Sequence, residues 1–255
     1  MRTARALCRL ARATTHGLHG LGIVLFRFPS LDDPARMLRV QWWAARMLRL
    51  LGVRIEVSGE PLPGAKLLVA NHISWLDILA IDAVHPARFV SKVEVKRWPL
   101  LGRLVTSGGT LYLERERPRD ALRVVHHVAQ ALEAGDTVAV FPEGTTSAGH
   151  DLLPFHANML QAAISANAPV QAVALRYSDR TESVSQAAAY VGDTSLVTSL
   201  WRVATASELR VKLVWLVPHD ARECDRRELA QRLHGDVTRA LNGARREVAE
   251  PVEAS

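Results

Sequence analysis

The sequence predicts a single α/β domain with a mixed central sheet flanked by helices, preceded by a two-helix segment at the N-terminus. From residue 53 onward, short apolar stretches of strand length alternate with longer helical patterns, which is typical of α/β proteins. The 255 residues suffice for one large domain, and no internal repeat or flexible linker divides them. We expect an N-terminal segment at 1–51, the domain at 52–246 and a flexible tail at 247–255.

Composition and charge narrow the class of protein. Hydrophobic residues make up 48% and charged residues 23% of the chain, which is ordinary for a globular protein. The net charge of +6 favours an anionic partner, and no acidic residue precedes Asp32. Membrane surfaces, phosphorylated ligands, acidic carrier proteins and nucleic acids all have that charge. Cys8 and Cys224 lie far apart and are the only cysteines, so the chain is compatible with a reducing compartment and no disulfide framework is indicated.

The first expected helix is basic. Arg2, Arg5, Arg9 and Arg12 are spaced three or four residues apart and line up on one face, as in a helix that lies on anionic lipid. A solvated face of a soluble protein is the alternative. Residues 13–26 are apolar but too short and too polar to span a bilayer, which takes about 20 apolar residues. No cleavage site follows them, which argues against a signal peptide.

A second helix is predicted over residues 35–51, after a turn with a capping aspartate. Its arginines cluster toward one side, and apolar residues that include Trp42 and Trp43 fill most of the rest. Such a helix suits the headgroup boundary of a membrane. We therefore predict that residues 1–51 form an anchor on an anionic membrane surface. In the alternative, Trp42 and Trp43 pack against the following domain.

The other elements follow from hydrophobic periodicity and from helix boundaries. The stretch 67–70 is continuously apolar and predicts a buried strand. The full set of predicted strands is 53–57, 67–70, 88–95, 110–113, 137–141, 171–177 and 209–217. The predicted helices are 75–81 with Ser74 as its cap, 96–105, 118–134 with Gly135 as its stop, 158–166 and 225–241.

His72 lies where a predicted strand changes into a predicted helix, and Asp77 lies in the first turn of that helix. Inside one continuous helix, positions five apart are rotated by about 140°, so the two side chains would not meet. With His72 in the loop, the carboxylate can reach back to the imidazole, fix its tautomer and stabilise its protonated form, as a general base requires. Alternatively, Ser74 to Asp77 form a capping box, Asp77 satisfies only a backbone donor, and Asn71 only makes a turn.

A second loop, Pro142-Glu143-Gly144-Thr145-Thr146-Ser147, follows another predicted strand, at the kind of position where open α/β sheets gather their binding residues. Gly144 permits a close approach of the backbone, and the residues after it supply hydroxyls and backbone donors. Glu143 can bind acceptor hydroxyls or orient a basic group. By itself, Pro-Glu-Gly is also a common turn.

A metal site is not predicted. His150, Asp151 and His156 could be combined with His72 and Asp77, but the set matches no ligand spacing of known metal sites.

Four blocks of the sequence together resemble the glycerolipid acyltransferases, the family of 1-acylglycerol-3-phosphate O-acyltransferase. The first is Asn71-His72 with Asp77 after four further residues. The others are Gly109-Thr110-Leu111-Tyr112-Leu113-Glu114-Arg115, Phe141-Pro142-Glu143-Gly144-Thr145-Thr146-Ser147 and Ala168-Pro169-Val170. They occur in the family's order, and the resemblance covers roughly residues 53 to 217.

The resemblance implies transfer of a fatty acyl group from acyl-CoA or acyl-carrier protein to the free hydroxyl of a lysophospholipid. The expected acceptor is 1-acylglycerol-3-phosphate and the product phosphatidic acid. His72 would take the proton of the hydroxyl, Asp77 would hold His72, and donors near Gly144 or Asn71 would stabilise the oxyanion. No metal and no bound cofactor are implied.

The resemblance also assigns binding residues. Arg115 would hold the acceptor's phosphate, because a guanidinium offers paired donors; without the resemblance it is one more surface arginine. Pro169 would lie near the acyl donor. The family often has an arginine where Thr146 stands, so the acceptor headgroup stays open, and another lysolipid such as lyso-ornithine lipid is an alternative.

Two non-enzymatic alternatives remain. A basic nucleic-acid-binding protein would use the N-terminal arginines, but no nucleic-acid-binding motif accompanies them, and we expect no nucleic acid as partner. A silent relative that only binds lipid would not need His72 and Asp77. We expect a peripheral or monotopic protein on the cytoplasmic face of the cell membrane.

Overall fold

The computed structural model describes residues 2–98, 101–113, 118–222 and 224–249. In this part of the chain, seven strands form one sheet. They are β1 (Arg54–Ser58), β2 (Lys66–Ala70), β3 (Arg88–Lys92), β4 (Leu111–Leu113), β5 (Thr137–Val140), β6 (Val170–Ser178) and β7 (Arg210–Trp215). The helices are α1 (Arg2–Phe26), α2 (Asp33–Leu51), α3 (Leu76–Val84), α4 (Val93–Lys96), α5 (Leu101–Ser107), α6 (Pro118–Glu133), α7 (Leu160–Ser165), α8 (Leu196–Thr205) and α9 (Arg226–Ala249).

The sheet is mixed, as predicted. Its strand order is β1-β7-β6-β2-β5-β3-β4. The five strands from β6 to β4 in this order are parallel to one another, whereas β7 pairs antiparallel with β6 and parallel with β1. The central strand β2 is buried along its whole length, which explains its unbroken apolar sequence.

Two apolar cores cover the two faces of the sheet. Leu68 and Ala70 of β2 face the first core, which contains residues of α2, α3 and α8. Leu67 and Val69 face the second core, which contains residues of α6, α7 and α9. This alternation follows from the period of two in a strand. The fold therefore has three layers, with helices on both faces of the sheet.

The two N-terminal helices pack against the domain. Helix α1 packs on α2 and α8, and α2 packs on α3; Ala13, Leu48 and Leu51 belong to the first core. The Arg9 guanidinium donates to the carbonyl oxygens of Ala204 and Ala206, at 2.9 and 3.1 Å. Arg9 therefore faces the C-terminal end of α8, not a lipid surface as its row of arginines had suggested.

The rings of both paired tryptophans contact histidines of α1. Trp43 donates its indole N–H to the carbonyl oxygen of His16 at 3.1 Å, and the imidazole of His16 stacks on its ring. Trp43 therefore packs against α1. Trp42 is 39% exposed and has the guanidinium of Arg46 over its ring. Among the described residues, no helix is apolar over a length that would cross a bilayer.

Several element boundaries differ from the prediction. The helix expected over 96–105 is replaced by the two short helices α4 and α5. Helix α8 was not predicted, because its β-branched and hydroxyl residues have modest helix propensity; Ser195 caps it. The prediction that Ser74 caps α3 is wrong, since its buried hydroxyl has no partner in the described structure. Helix α9 continues through Ala249, beyond the start of the predicted tail.

Candidate active site

The candidate site lies at the C-terminal ends of two neighbouring parallel strands. His72 follows β2 directly, and residues 141–147 follow β5, which pairs with β2. The backbone of the second loop is fastened to the first, because the Ser147 N–H donates to the carbonyl oxygen of His72 at 2.8 Å. The sheet therefore brings together the two segments that the sequence analysis singled out.

His72 and Asp77 are in direct contact. Nδ1 of His72 lies 2.8 Å from Oδ2 of Asp77. The carboxylate is fully buried, whereas the imidazole is 20% exposed. A proton on Nδ1 is held by the carboxylate, so Nε2 of the neutral ring is an acceptor that can take a proton. The predicted geometry, with His72 in the loop and Asp77 in the first helical turn, is what the structure contains.

Asp77 also holds the loop that precedes α3. Its Oδ2 accepts the backbone N–H groups of Ile73 and Ser74, at 2.6 and 2.9 Å. Oδ1 accepts the hydroxyl of Tyr177 at 2.8 Å. The capping interpretation of Asp77 therefore applies, and it does not exclude the catalytic one, because one oxygen accepts from the backbone and contacts the imidazole together.

Glu143 lies behind His72 and contacts its backbone. Oε1 accepts the His72 N–H at 2.6 Å, and Oε2 accepts the Leu153 N–H at 2.9 Å. Burial raises the pKa of Glu143 above its ordinary value, while the two backbone donors act in the opposite direction. Since both oxygens accept backbone donors, Glu143 orients the chain at His72.

Phe141 supports the imidazole of His72 from one side. The two rings are stacked, with centroids 3.9 Å apart and planes at 11°, and Phe89 stacks in turn on Phe141. The imidazole is therefore fixed by the ring of Phe141, the carboxylate of Asp77 and the backbone contact to Glu143. A substrate can reach the imidazole through the part of its surface that is exposed.

The residues after Glu143 form a tight turn. Gly144 has φ +68°, a conformation that favours glycine, and donates its N–H to the carbonyl oxygen of Phe141 at 3.0 Å. Thr145 is exposed. Thr146 donates its hydroxyl to the carbonyl oxygen of Tyr190, whose N–H donates to the carbonyl oxygen of Ile73 at 3.0 Å. Thr146 thus joins three loops around the site.

Asn71 continues the pairing of β2 with β6. Its side-chain N–H donates to the carbonyl oxygen of Leu175 at 2.9 Å, and its oxygen accepts the Leu175 N–H at 2.7 Å. The amide takes the place of a backbone partner at the point where the chain leaves the sheet. Asn71 is buried, and these contacts position the following residue, His72.

The structure places one predicted binding residue away from His72 and does not describe another. Pro169 precedes β6 and accepts the Leu67 N–H, at the opposite end of β2 from His72. Leu67 and His72 are five positions apart, or roughly 16 Å along an extended strand, so the structure does not bring Pro169 and His72 together. Arg115 lies outside the residues that the structure describes.

Sequence reasoning missed Tyr177 and Phe141 as site residues. Tyr177 is a polar ring in an otherwise apolar buried strand, and a buried phenol needs a hydrogen-bond partner; that signal indicates a partner but not which one. The sequence identifies Phe141 only as the first residue of the block that ends at Ser147 and gives no sign that its ring stacks on His72. Within the described residues, no group of three or more His, Cys, Asp or Glu is placed to hold a metal ion.

Comparisons with known proteins agree with this geometry. The family model described as Acyltransferase matches residues 54–176, a range that includes His72, Asp77 and the loop after β5. A 1-acyl-sn-glycerol-3-phosphate acyltransferase of Neisseria gonorrhoeae is 41% identical over 183 residues, which are 71% of each chain. A lyso-ornithine lipid O-acyltransferase of Pseudomonas aeruginosa is 36% identical over 250 residues, which are 95% of this chain and 96% of that protein.

A solved structure has the same fold. The crystal structure of the 1-acyl-sn-glycerophosphate (LPA) acyltransferase from Thermotoga maritima aligns with a TM-score of 0.71 and 22% sequence identity. The alignment covers 95% of this chain and 97% of that one. It therefore includes the N-terminal helices as well as the sheet.

Proposed function

This chain belongs to the acyltransferase family, and we propose that it acylates the free sn-2 hydroxyl of 1-acylglycerol-3-phosphate, giving phosphatidic acid in phospholipid biosynthesis. The acyl donor is acyl-CoA or acyl-carrier protein, and no metal or bound cofactor takes part. The observation that supports this proposal best is the contact between Nδ1 of His72 and the buried carboxylate of Asp77.

The mechanism follows from that contact. The acceptor hydroxyl attacks the carbonyl carbon of the donor thioester while Nε2 of His72 takes its proton. Asp77 holds the imidazole in the required tautomer and stabilises the imidazolium. When the tetrahedral intermediate collapses, the C–S bond breaks and His72 returns the proton to the leaving sulfur. The products are the ester and a free thiol, and donors near Gly144 or Asn71 stabilise the oxyanion.

Each remaining predicted residue has a distinct role in the proposal. Two of these roles follow from the family resemblance alone: Arg115 binds the acceptor's phosphate, and Pro169 marks the region near the acyl donor. Asn71 and Glu143 position His72 through the contacts described above. Thr145 is exposed at the turn and is available to the acceptor, whereas the hydroxyl of Thr146 is directed at Tyr190.

A second acceptor is favoured by one observation. The similarity to the lyso-ornithine lipid O-acyltransferase of Pseudomonas aeruginosa extends over nearly the whole of both chains, whereas that to the Neisseria enzyme covers 71% of each. The arginine that the family often has at position 146 is replaced by Thr146. An acceptor without a phosphate, lyso-ornithine lipid, is therefore the second candidate.

Thiol release by purified protein in detergent tests the reaction. We expect acyl-CoA or acyl-carrier protein to release thiol only when lysophosphatidic acid is added, and His72→Ala to lower the rate by about 100-fold or more. His126→Ala, a change at an exposed histidine of α6, is the matched control and should keep full activity. Turnover of lyso-ornithine lipid without turnover of lysophosphatidic acid would replace the first acceptor by the second.

We also propose that α1 and α2 hold the enzyme on the cytoplasmic face of an anionic membrane. Leu7, Leu18 and Leu25 of α1 are 56%, 56% and 45% exposed and lie on one stripe, because their spacings of 11 and 7 are close to whole helical turns. Phe26, at the end of the helix, is 80% exposed. An apolar stripe on a helix whose other side packs against protein suits insertion at the headgroup boundary.

The second helix adds the charge. Arg39, Arg46 and Arg49 of α2 are exposed, together with Leu38 and Trp42. Arginines beside an exposed indole can bind lipid phosphates while the apolar groups enter the membrane. The absence of acidic residues before Asp32 gives the same preference for anionic lipid.

Flotation with anionic vesicles tests the anchor. The double change Leu18→Glu and Leu25→Glu should reduce the bound fraction at least about tenfold, since each leucine contributes roughly 1.5–3 kcal/mol when buried. Leu122→Glu is the control, because Leu122 is 71% exposed on α6 at the other face of the sheet. Equal flotation of all three proteins would exclude the stripe as the membrane contact.

A further inference from the structure

Tyr177 lies on β6, which pairs with the edge of β2 opposite to β5, and its side chain reaches the active site from there. Val173, Leu175 and Tyr177 alternate along β6 and belong to the same core as Leu76 of α3, so their side chains lie on the α3 face of the sheet. The side-chain amide of Asn71 binds the backbone of Leu175 and so fixes the position of β6 beside the residue that precedes His72. The phenol ring therefore points toward the first turn of α3, where Asp77 lies.

The two oxygens of the Asp77 carboxylate have unequal surroundings. Oδ2 accepts from Nδ1 of His72 and from two backbone N–H groups. Oδ1 accepts from the Tyr177 hydroxyl at 2.8 Å, which is its sole donor in the part of the chain that the structure describes. Asp77 is 0% and Tyr177 1% exposed, so bulk water does not supply a substitute.

The Tyr177 hydroxyl keeps its proton, and so remains a donor, at neutral pH. Burial is the main reason that the pKa of Tyr177 lies well above its usual value, and the nearby charge of Asp77 raises this pKa further. An ionised carboxylate can only accept hydrogen bonds, and a hydrogen bond from a neutral donor stabilises its charge. The negative charge of Asp77 is therefore shared between Tyr177 and His72.

We propose that Tyr177 is a positioning residue for the acid–base pair, and that its hydroxyl both holds the carboxylate in the orientation that serves His72 and limits how strongly that carboxylate retains a proton on the imidazole. The inference rests on the proposed function, in which His72 is the general base. It adds a residue from β6, one position beyond the end of the matched family region.

Other titratable groups of the described chain lie near His72. From the loop after β5, Glu143 binds the His72 backbone and interacts electrostatically with His72 and Asp77. His156 packs near Gly144 of the same loop. From α8, the neutral hydroxyl of Ser199 binds the indole of Trp75. None of these groups is altered in a variant of Tyr177, so a changed titration of His72 reports the lost hydroxyl.

The test compares two opposite changes at one position. Tyr177→Phe removes the donor, so the imidazolium becomes the main partner of Asp77. We expect the pKa of His72 and the acid limb of kcat/KM to rise by about 0.5–1 pH unit, and kcat to fall about tenfold. Site-specific 3-fluorotyrosine at position 177 is a stronger donor of nearly the same shape. It should lower the pKa of His72 and move the acid limb of kcat/KM to lower pH.

Two measurements separate this inference from the proposed function. NMR titration of the His72 imidazole in histidine-labelled protein, assigned by loss of its signal in His72→Gln, needs no substrate and tests Tyr177 even if the acceptor is wrong. Thiol release by the wild type tests the function. Tyr112→Phe is the matched control, because the Tyr112 hydroxyl binds Thr106 on another part of the fold, and it should leave the titration unchanged.

Opposite shifts for phenylalanine and fluorotyrosine would support the role of Tyr177. An unchanged His72 titration in both proteins, or shifts in the same direction, would overturn it. If Tyr177→Phe does not fold, the fluorotyrosine protein retains ring and hydroxyl and decides alone.

Discussion

At the scale of single residues, Glu143 is joined to His72 through the backbone and not through the imidazole. Its two oxygens accept the N–H groups of His72 and Leu153, so it fixes the loop after β2 to the segment that follows β5. A carboxylate is suited to this role because both of its oxygens are acceptors. An amide has one acceptor and one donor.

Glu143→Gln should therefore weaken both stability and catalysis. The new NH₂ group would face a backbone N–H, and one buried donor would lose its acceptor, at a cost of about 1–3 kcal/mol. We expect a lower Tm and a kcat/KM reduced about tenfold, measured by thermal unfolding and thiol release.

The matched control is Glu133→Gln at the exposed end of α6, which should change neither quantity. If Glu143→Gln had normal activity and a normal Tm, the positioning role of Glu143 would be refuted.

Residues close in sequence were the predictable part of the site. His72 and Asp77 are five positions apart, so local geometry alone indicates that they can meet. Tyr177 is 100 positions from Asp77, and only the pairing of β6 with β2 brings them together. The same reason hides the contact between Thr146 and Tyr190, which joins two loops with no shared pattern.

At the scale of secondary structure elements, the contact between α1 and α2 depends on a glycine. A Cβ at Gly20 would lie 2.3 Å from the indole nitrogen of Trp43, the group that donates to His16. The absence of a side chain therefore lets the two helices approach closely. This contact sets the orientation of α1 and therefore the direction in which its exposed leucines, Leu7, Leu18 and Leu25, point.

Gly20→Ala should separate the two helices. Overpacking at such a contact costs about 1–3 kcal/mol, so we expect a lower Tm and weaker vesicle flotation. Gly17→Ala is the control in the same helix, because a Cβ there has nothing within 4 Å; it should stabilise the helix by up to about 1 kcal/mol. Equal effects of the two changes would contradict the packing argument.

The elements themselves were largely predictable, but their contacts were not. Apolar periodicity indicated both N-terminal helices, and all seven strands were anticipated within a few residues. It did not indicate which face of α1 meets the domain, because the partner α8 was not recognised. Consequently Arg9 was grouped with lipid-facing arginines although it binds the end of α8.

At the scale of the whole molecule, the end of the sheet opposite the active site contains a pair of bases, the buried Lys66 and the half-buried His85. Nζ of Lys66 lies 2.7 Å from Nε2 of His85 and also donates to Gly64 and Thr137. Burial lowers the pKa of Lys66 to about 8. Burial, followed by the charge of Lys66, lowers that of His85 to about 4.

The contribution of His85 to stability should consequently fall in mild acid. Unfolded His85 binds a proton near pH 6.5 and the folded protein only near pH 4, so this contribution is complete above pH 6.5 and is lost as the pH falls toward 4. The loss is roughly 1–2 kcal/mol after allowance for solvent screening. Tm measured across this range should decline less steeply in His85→Gln.

His126→Gln on the surface of α6 should decline like the wild type. Parallel curves for wild type and His85→Gln would rule out His85 as the source of acid sensitivity.

The hydrogen bonds from Arg9 to the C-terminal end of α8 have a practical consequence for enzyme engineering. A biocatalyst trimmed at residue 52 to avoid detergent would expose the carbonyl groups at the end of α8. The same helix, through Ser199, holds Trp75 beside the catalytic loop, so the damage would reach the active centre. Water solubility is better engineered by replacing the exposed leucines Leu7, Leu18 and Leu25 of α1 with polar residues. These changes leave the hydrogen bonds of Arg9 and the active site intact.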